Sequence, residues 1–147
     1  MQVNIYAYQT LRGARKSGAG AYVLEAAWGR ATPTTATGTM YFEDTTENGA
    51  ELALLLTALR RINRTVDIAI YTESGYLAAG IETYLSRWSE QDFRNSKGQK
   101  IAHAELWQEV AEIVARYNLK PEVLVAAQHS YRNWLIREAE NRAKKGE

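Results

Sequence analysis

The sequence predicts an α/β fold: a five-stranded mixed sheet with helices on both faces, in the order βββαβααβα. Three observations predict it. Residues 2–43 hold three strand-like runs joined by short connections. Residues 47–62 then switch to helical spacing of apolar side chains. A β-branched run at 65–72 follows, between two helical stretches, as a parallel strand with crossover connections requires.

Residues 2–8 alternate, with Val3, Ile5 and Ala7 on one face and Asn4, Tyr6 and Tyr8 on the other, which reads as the first strand. Gly13, Ser17, Gly18 and Gly20 read as a loop or hairpin turn. Residues 21–28 form the second strand, the Thr/Pro/Ala-rich residues 31–36 a turn, and residues 37–43 the third strand, completing an antiparallel meander. From Glu47 to Ile62, Leu52, Leu55, Leu56, Leu59 and Ile62 share a helix face, with Thr46 as N-cap. Residues 65–72 are the fourth strand. Ser74 opens a second helix with Leu77, Ile81, Tyr84, Leu85 and Trp88 on one face. On that stripe Tyr84 and Trp88 are expected in the core, as is Tyr117 on the next helix. The polar stretch 89–100 reads as a loop. A third helix carries Leu106, Val110, Ile113, Val114 and Tyr117 and stops at Asn118 and Pro121, with His103 at its start on the surface. Residues 122–127 are the fifth strand, and a last helix runs from about Ser130. One domain is expected over residues 1–147, its tail fraying from about residue 140.

Bulk composition narrows the function. The chain is 46% hydrophobic and 24% charged, ordinary for a globular protein, and no apolar run approaches the ~20 residues that span a bilayer. With no cysteine, disulfides, zinc–thiolate sites and thiol nucleophiles are excluded. The start, Met1 to Tyr6, passes directly into a strand pattern without the features of a signal peptide, so a cytoplasmic location is expected. A net charge of +1 gives no global attraction to a polyanion, so nucleic-acid binding would rest on local groups of cations. Such groups stand at Arg12, Arg15 and Lys16, at Arg60, Arg61 and Arg64, at Arg94, Lys97 and Lys100, and at Arg142, Lys144 and Lys145.

Four local motifs carry a resemblance. Ile5-Tyr6-Ala7-Tyr8-Gln9-Thr10 ends the first strand, and Gly18-Ala19-Gly20-Ala21-Tyr22-Val23-Leu24 opens the second. Thr45-Thr46-Glu47-Asn48-Gly49-Ala50-Glu51-Leu52 opens the first helix, and Tyr71-Thr72-Glu73-Ser74-Gly75-Tyr76 follows the fourth strand. In this order, and with Trp88 and Leu106-Trp107 downstream, they resemble the ribonuclease H family, type 1, over nearly the whole chain. The resemblance implies a ribonuclease H–like fold and an RNA–DNA hybrid ribonuclease that uses Mg²⁺ or Mn²⁺. In that family two divalent cations sit among four carboxylates, one metal activating water and the other stabilising the leaving oxygen.

This chain departs from that pattern. Tyr8 stands where the family has its first-strand acid, and a phenol, which keeps its proton at neutral pH, is a poor magnesium ligand. Glu51 keeps the helix acid. Glu73 replaces an aspartate, displacing the oxygens by roughly 1.5 Å, one bond length. The last-helix position, counted from Asn133, falls on Arg137, or on Ile136 if the register shifts by one. Glu138 is nearby in sequence but turned by about 100–200° around the helix. His129 matches a family histidine before the last helix or is simply a turn residue. Glu51, Glu73 and His129 are therefore the remnant catalytic positions, with Glu51 and Glu73 as weak metal ligands. Hydrolysis is expected to be lost or strongly impaired, with no metal held tightly.

Three readings stay open: a degenerate domain that binds nucleic acid, an active hybrid ribonuclease with a remodelled metal site, and a scaffold that contacts protein partners. An active site would recruit Asp44, Glu47 or Glu138. The nucleic-acid reading would use Arg12, Arg15, Lys16, Asn48, Trp88, Arg94, Lys97 and Lys100, with Glu90 and Asp92 diluting the last group and Phe93 as a second aromatic beside Trp88. A polar-aromatic pocket of Tyr6, Tyr8, Tyr71, Tyr131 and Trp134 is expected near the former metal site. No membrane partner is expected.

Overall fold

A computed structural model of the chain describes residues 1–13, 16–125 and 128–146. Three strands open it: β1 (Gln2–Gln9), β2 (Lys16–Ala27) and β3 (Thr34–Thr45). Helix α1 (Glu47–Leu59) and strand β4 (Asp67–Thr72) follow. Next come α2 (Gly75–Ala79), a π-helical turn at Gly80–Tyr84 and α3 (Leu85–Glu90) in unbroken succession. Helix α4 (Ala104–Arg116), strand β5 (Glu122–Val125) and helix α5 (Arg132–Lys145) complete it. The five strands form one sheet in the order β3-β2-β1-β4-β5. β1–β2 and β2–β3 are antiparallel, and β1–β4 and β4–β5 are parallel, as the element order predicts.

Alternation along β1 divides the molecule. Val3, Ile5 and Ala7 join the main core with the α1 leucines and with Trp107, Val110 and Ile113 of α4. Tyr6, on the other face, packs with Ala21 and Val23 of β2 and with Leu135 and Ala139 of α5. Both faces of the sheet are thus covered. Among the described residues no helix is long and apolar enough to cross a membrane.

The hairpin differs from expectation. β2 begins at Lys16, and Gly18 and Gly20 are strand residues paired with Phe42 and Met40 rather than turn residues. The missing side chain at Gly20 is what lets Leu54 of α1 lie directly on the strand: a Cβ there would sit 2.9 Å from its Cδ2. β3 begins at Thr34, because the threonine-rich run pairs with β2 from Ala26 onward and β-branched residues suit a ladder. The turn is confined to the residues just before it, where the Ala31 amide donates to the Trp28 carbonyl.

Thr46 caps α1 and Ser74 caps α2 through their hydroxyls, as expected. α1 stops at Leu59, and Ile62 reaches the core from beyond its end. The π turn re-phases the second helical stretch: Leu77 and Leu85 are buried, Trp88 is half-buried, and Tyr84 is exposed instead of in the core. Tyr117 is half-buried against the core. His103 is half-buried rather than on the surface. It begins α4 with φ at 57°, and its Nε2 lies 3.5 Å from the Thr46 hydroxyl. The predicted fifth strand is seen as Glu122–Val125; residues 126–127 lie outside the described residues. α5 extends to Lys145, and its Ala139 is buried against the sheet.

Candidate functional site

Parallel pairing of β1 and β4, with Tyr6 opposite Tyr71, brings the ends of the two strands side by side. The capped starts of α1 and α2 meet them there. Arg12, Glu47, Asn48, Glu51, Glu73, Ser74, Gly75 and Tyr76 line the resulting cleft of about 300 Å³. Glu51 and Glu73, the two remnant carboxylates, therefore do come together.

Each is already engaged. Glu51 accepts a 3.0 Å bond from Gln9 Nε2. Burial pushes its carboxyl above the usual range, more strongly than Gln9 and the nearby Arg12 pull it down, and Glu47 and Glu73 add to the rise. Glu73 is paired with Arg132, whose NH1 lies 3.1 Å from its Oε2. Tyr8 lies within reach of two cations: the Arg12 guanidinium is 5.3 Å from its ring centre and that of Arg132 6.0 Å. Arg137 is exposed and Ile136 half-buried. Glu138 lies in a separate small pocket with Thr39, Asn141, Arg142 and Lys145. Among the described residues there is no group of three or more His, Asp or Glu placed to hold a metal ion.

The His129 ring lies tilted against Tyr6 with centres 4.7 Å apart, and its Nδ1 accepts from the Tyr131 amide, which places the proton of the neutral ring on Nε2. Burial, then Arg132, holds its pKa below the ordinary value against the opposing pull of Glu73. The expected tyrosine cluster exists, but as a packed layer under α5 rather than a pocket. Tyr6 and Tyr71 stack at 4.6 Å and Tyr131 lies 4.9 Å from Tyr6, with Tyr8 and Trp134 at the edge. Beneath it Glu25 accepts from Tyr131 (2.5 Å), Asn4 (3.0 Å) and Tyr6 (3.5 Å).

The remaining nucleic-acid candidates are dispersed. Lys16 and Asn48 are exposed at the hairpin and at the cleft, and Arg15 lies outside the described residues. Arg94, Lys97 and Lys100 are exposed on a small loop closed by an Arg94–Lys100 bridge, where Arg94 is 3.8 Å from Asp92. Trp88 is half-buried and lies against Tyr84 (5.5 Å) and Trp107 (5.2 Å), and Phe93 is buried in the core.

Sequence reasoning missed Gln9, Arg132 and Glu25. Strand alternation was the available signal for Gln9, since it must face opposite to Tyr8, toward α1. Glu25 could have been found as the acid opposite Asn4 once the hairpin register was known. Arg132 had no such signal.

The sequence profile of the RNase H family matches residues 2–133. The chain belongs to the ribonuclease H family. Its similarity to curated members is local: it is 32% identical over 77 residues to ribonucleases H of Francisella philomiragia and of Francisella tularensis subsp. novicida. That match takes in 52% of this chain, and the chain spans about half (51%) of those relatives' length. Among solved structures, LC9-RNase H1, described as a type 1 RNase H with the type 2 active-site motif, superposes with a TM-score of 0.78 at 20% identity. The superposition covers 99% of this chain and 74% of that one. The N-terminal RNase H domain of rv2228c from Mycobacterium tuberculosis gives 0.69 at 19% identity over 98% and 96% of the two chains. LC11-RNase H1 in complex with RNA/DNA hybrid gives 0.61 at 16% identity over 97% and 99%. At these identities the likeness is one of fold.

Family members generally use Mg²⁺ or Mn²⁺, and the residues present here do not fit such a pair. Magnesium asks for several oxygen ligands in near-octahedral array. This cleft offers Glu73, already bound to a guanidinium, Glu51, buried and bonded to an amide, Glu47, which accepts from the Gly13 amide, and Tyr76.

Proposed function

We propose that this chain is a ribonuclease H–fold module that binds nucleic-acid duplexes, RNA–DNA hybrid foremost, without efficient two-metal hydrolysis. The Arg132–Glu73 ion pair carries the reading. A cation built into the chain neutralises the acid that the family reserves for metal, and binding a dication there would mean breaking that pair and bringing the cation close to a guanidinium. Tyr8 at the first-strand position and the buried, proton-favouring Glu51 point the same way. Duplex binding is supported by the fold neighbours, one described in complex with RNA/DNA hybrid and another, a foamy viral protease-reverse transcriptase, in complex with dsDNA. Arg12 and Asn48 at the cleft and the exposed Lys16, Arg94, Lys97 and Lys100 are the groups that would meet phosphates.

The test is a titration with end-labelled RNA–DNA hybrid in Mg²⁺ and then Mn²⁺, followed for retention and for cleavage. Retention that weakens steeply with salt, with the RNA strand intact, is expected. Robust cleavage that disappears in Glu51→Gln would refute the reading.

A further inference from the structure

We infer that Arg12, Tyr8 and Arg132 form a metal-independent clamp for a phosphate group at the mouth of the cleft. The inference rests on the duplex-binding reading where it takes that phosphate to belong to a nucleic-acid backbone; the phosphate chemistry itself stands on the geometry. Two guanidinium groups from distant parts of the chain, one just past β1 and one in the first turn of α5, converge on a single tyrosine ring at 5.3 and 6.0 Å. Each is held on one side only. Arg12 NH1 donates to the Gln9 and Leu11 carbonyls at 2.6 Å, and Arg132 NH1 donates to Glu73 at 3.1 Å. Among the described residues no acceptor meets the Nε or NH2 of either, which leaves a planar fork of donors on each guanidinium. Such forks match the spacing of phosphate oxygens, and two of them at one phenol ring can face one anion.

The surroundings suit an anion better than the count of acids suggests. Glu73 is paired with Arg132, Glu47 accepts from the Gly13 amide at 3.3 Å, and burial raises the Glu51 carboxyl above its ordinary range. α5 is fourteen residues long, and its N-cap, Tyr131, makes no side-chain capping bond, so the positive end of the helix dipole lies unshielded by a cap beside Arg132.

Arginine Nε–Hε resonances of ¹⁵N-labelled protein are followed in EDTA during titration with inorganic pyrophosphate, and labelled hybrid is titrated in parallel, also in EDTA. Both Arg12 and Arg132 resonances should move. Arg12→Gln and Arg132→Gln should each weaken hybrid binding about tenfold, the scale of one charge-assisted hydrogen bond, and flatten the salt dependence by about one phosphate contact. Arg60→Gln, which removes a surface pair with Glu109, should change neither readout. Arg132→Lys keeps a cation for Glu73 but loses the fork, so it should fold and still bind weakly. If pyrophosphate moves neither resonance and the variants bind hybrid like the parent, the clamp is overturned and the duplex reading survives. If pyrophosphate moves both while hybrid is not retained at all, the clamp stands and the duplex reading falls.

Discussion

The Tyr131 hydroxyl lies 2.5 Å from a carboxylate oxygen of Glu25, tying the start of α5 to the last residues of β2, near Ala27. Asn4 and Tyr6 of β1 donate to the other oxygen, so three donors from β1 and the start of α5 converge on one acid. This knot orients the helix turn that carries Arg132 toward the cleft, and it links the packing under α5 to the chemistry at its mouth.

Tyr131→Phe should cost about 1–2 kcal/mol, the scale of a hydrogen bond to a charged group that is partly solvated. Burial opposes ionisation of Glu25, but the bonds from Tyr131 and Asn4 win and hold its carboxyl below the usual range. The native state therefore binds this proton less readily than the unfolded chain. The network adds stability at neutral pH and loses it as pH falls through and below the ordinary carboxylate range. Urea unfolding at pH 7 and pH 3 reads this out: the gap between parent and Tyr131→Phe should narrow at the lower pH. A gap that widens would contradict it.

The same knot acts at high pH with the opposite sign. The hydrogen bond to Glu25, and then burial, pushes the Tyr131 phenol up to about 12. Burial, then the charge of Glu25, raises Tyr6 as well. The folded protein holds protons that the unfolded chain releases near pH 10, so stability is full below that and declines as pH climbs toward 12. Ultraviolet titration should show some phenols ionising only with unfolding; reversible ionisation of every tyrosine in the folded protein by pH 11 would contradict this.

Glu51→Gln should stabilise the protein at neutral pH, on the order of 1 kcal/mol, the usual scale of a single substitution. Burial raises this carboxyl, so the native state takes up its proton more readily than the unfolded chain. The ionised form opposes folding above the carboxylate range, and the opposition fades as pH falls. The amide keeps an oxygen for Gln9 Nε2. Melting temperatures at pH 7 and pH 4 decide it, since the variant should gain at the first and not at the second.

Gly80→Ala should destabilise by about 2 kcal/mol through overpacking. A Cβ at this π-helical position would run into the indole ring of Trp107, which is fully buried and donates to the Tyr76 hydroxyl at 2.8 Å. Combining Gly80→Ala with Trp107→Leu should recover part of the loss, and additive penalties in that double-mutant cycle would exclude direct contact as the cause.

The order of elements, the antiparallel-then-parallel sheet and the helix starts at Thr46 and Ser74 were legible because they depend on local signals: alternation, helical period and capping side chains. Boundaries that depend on pairing were not. Gly18 and Gly20 read as turn residues until β3 and Leu54 are placed against them. Tyr84 read as core because a regular α-helix would bury it, whereas it ends a π turn that begins at Gly80, packed against Trp107 of α4.

Within the site, the sequence alone determined which residues stand at the positions that resemble the family's acids: Glu51 and Glu73 at two of them, Tyr8 and Arg137 or Ile136 at the others. Residue identity is enough for that. Only the tertiary structure decided what those acids do, because Gln9 reaches Glu51 across 42 positions and Arg132 reaches Glu73 across 59. Electrostatics acts through space with the separation the fold imposes, so a carboxylate's partner and charge state are properties of the packed chain rather than of its local motif.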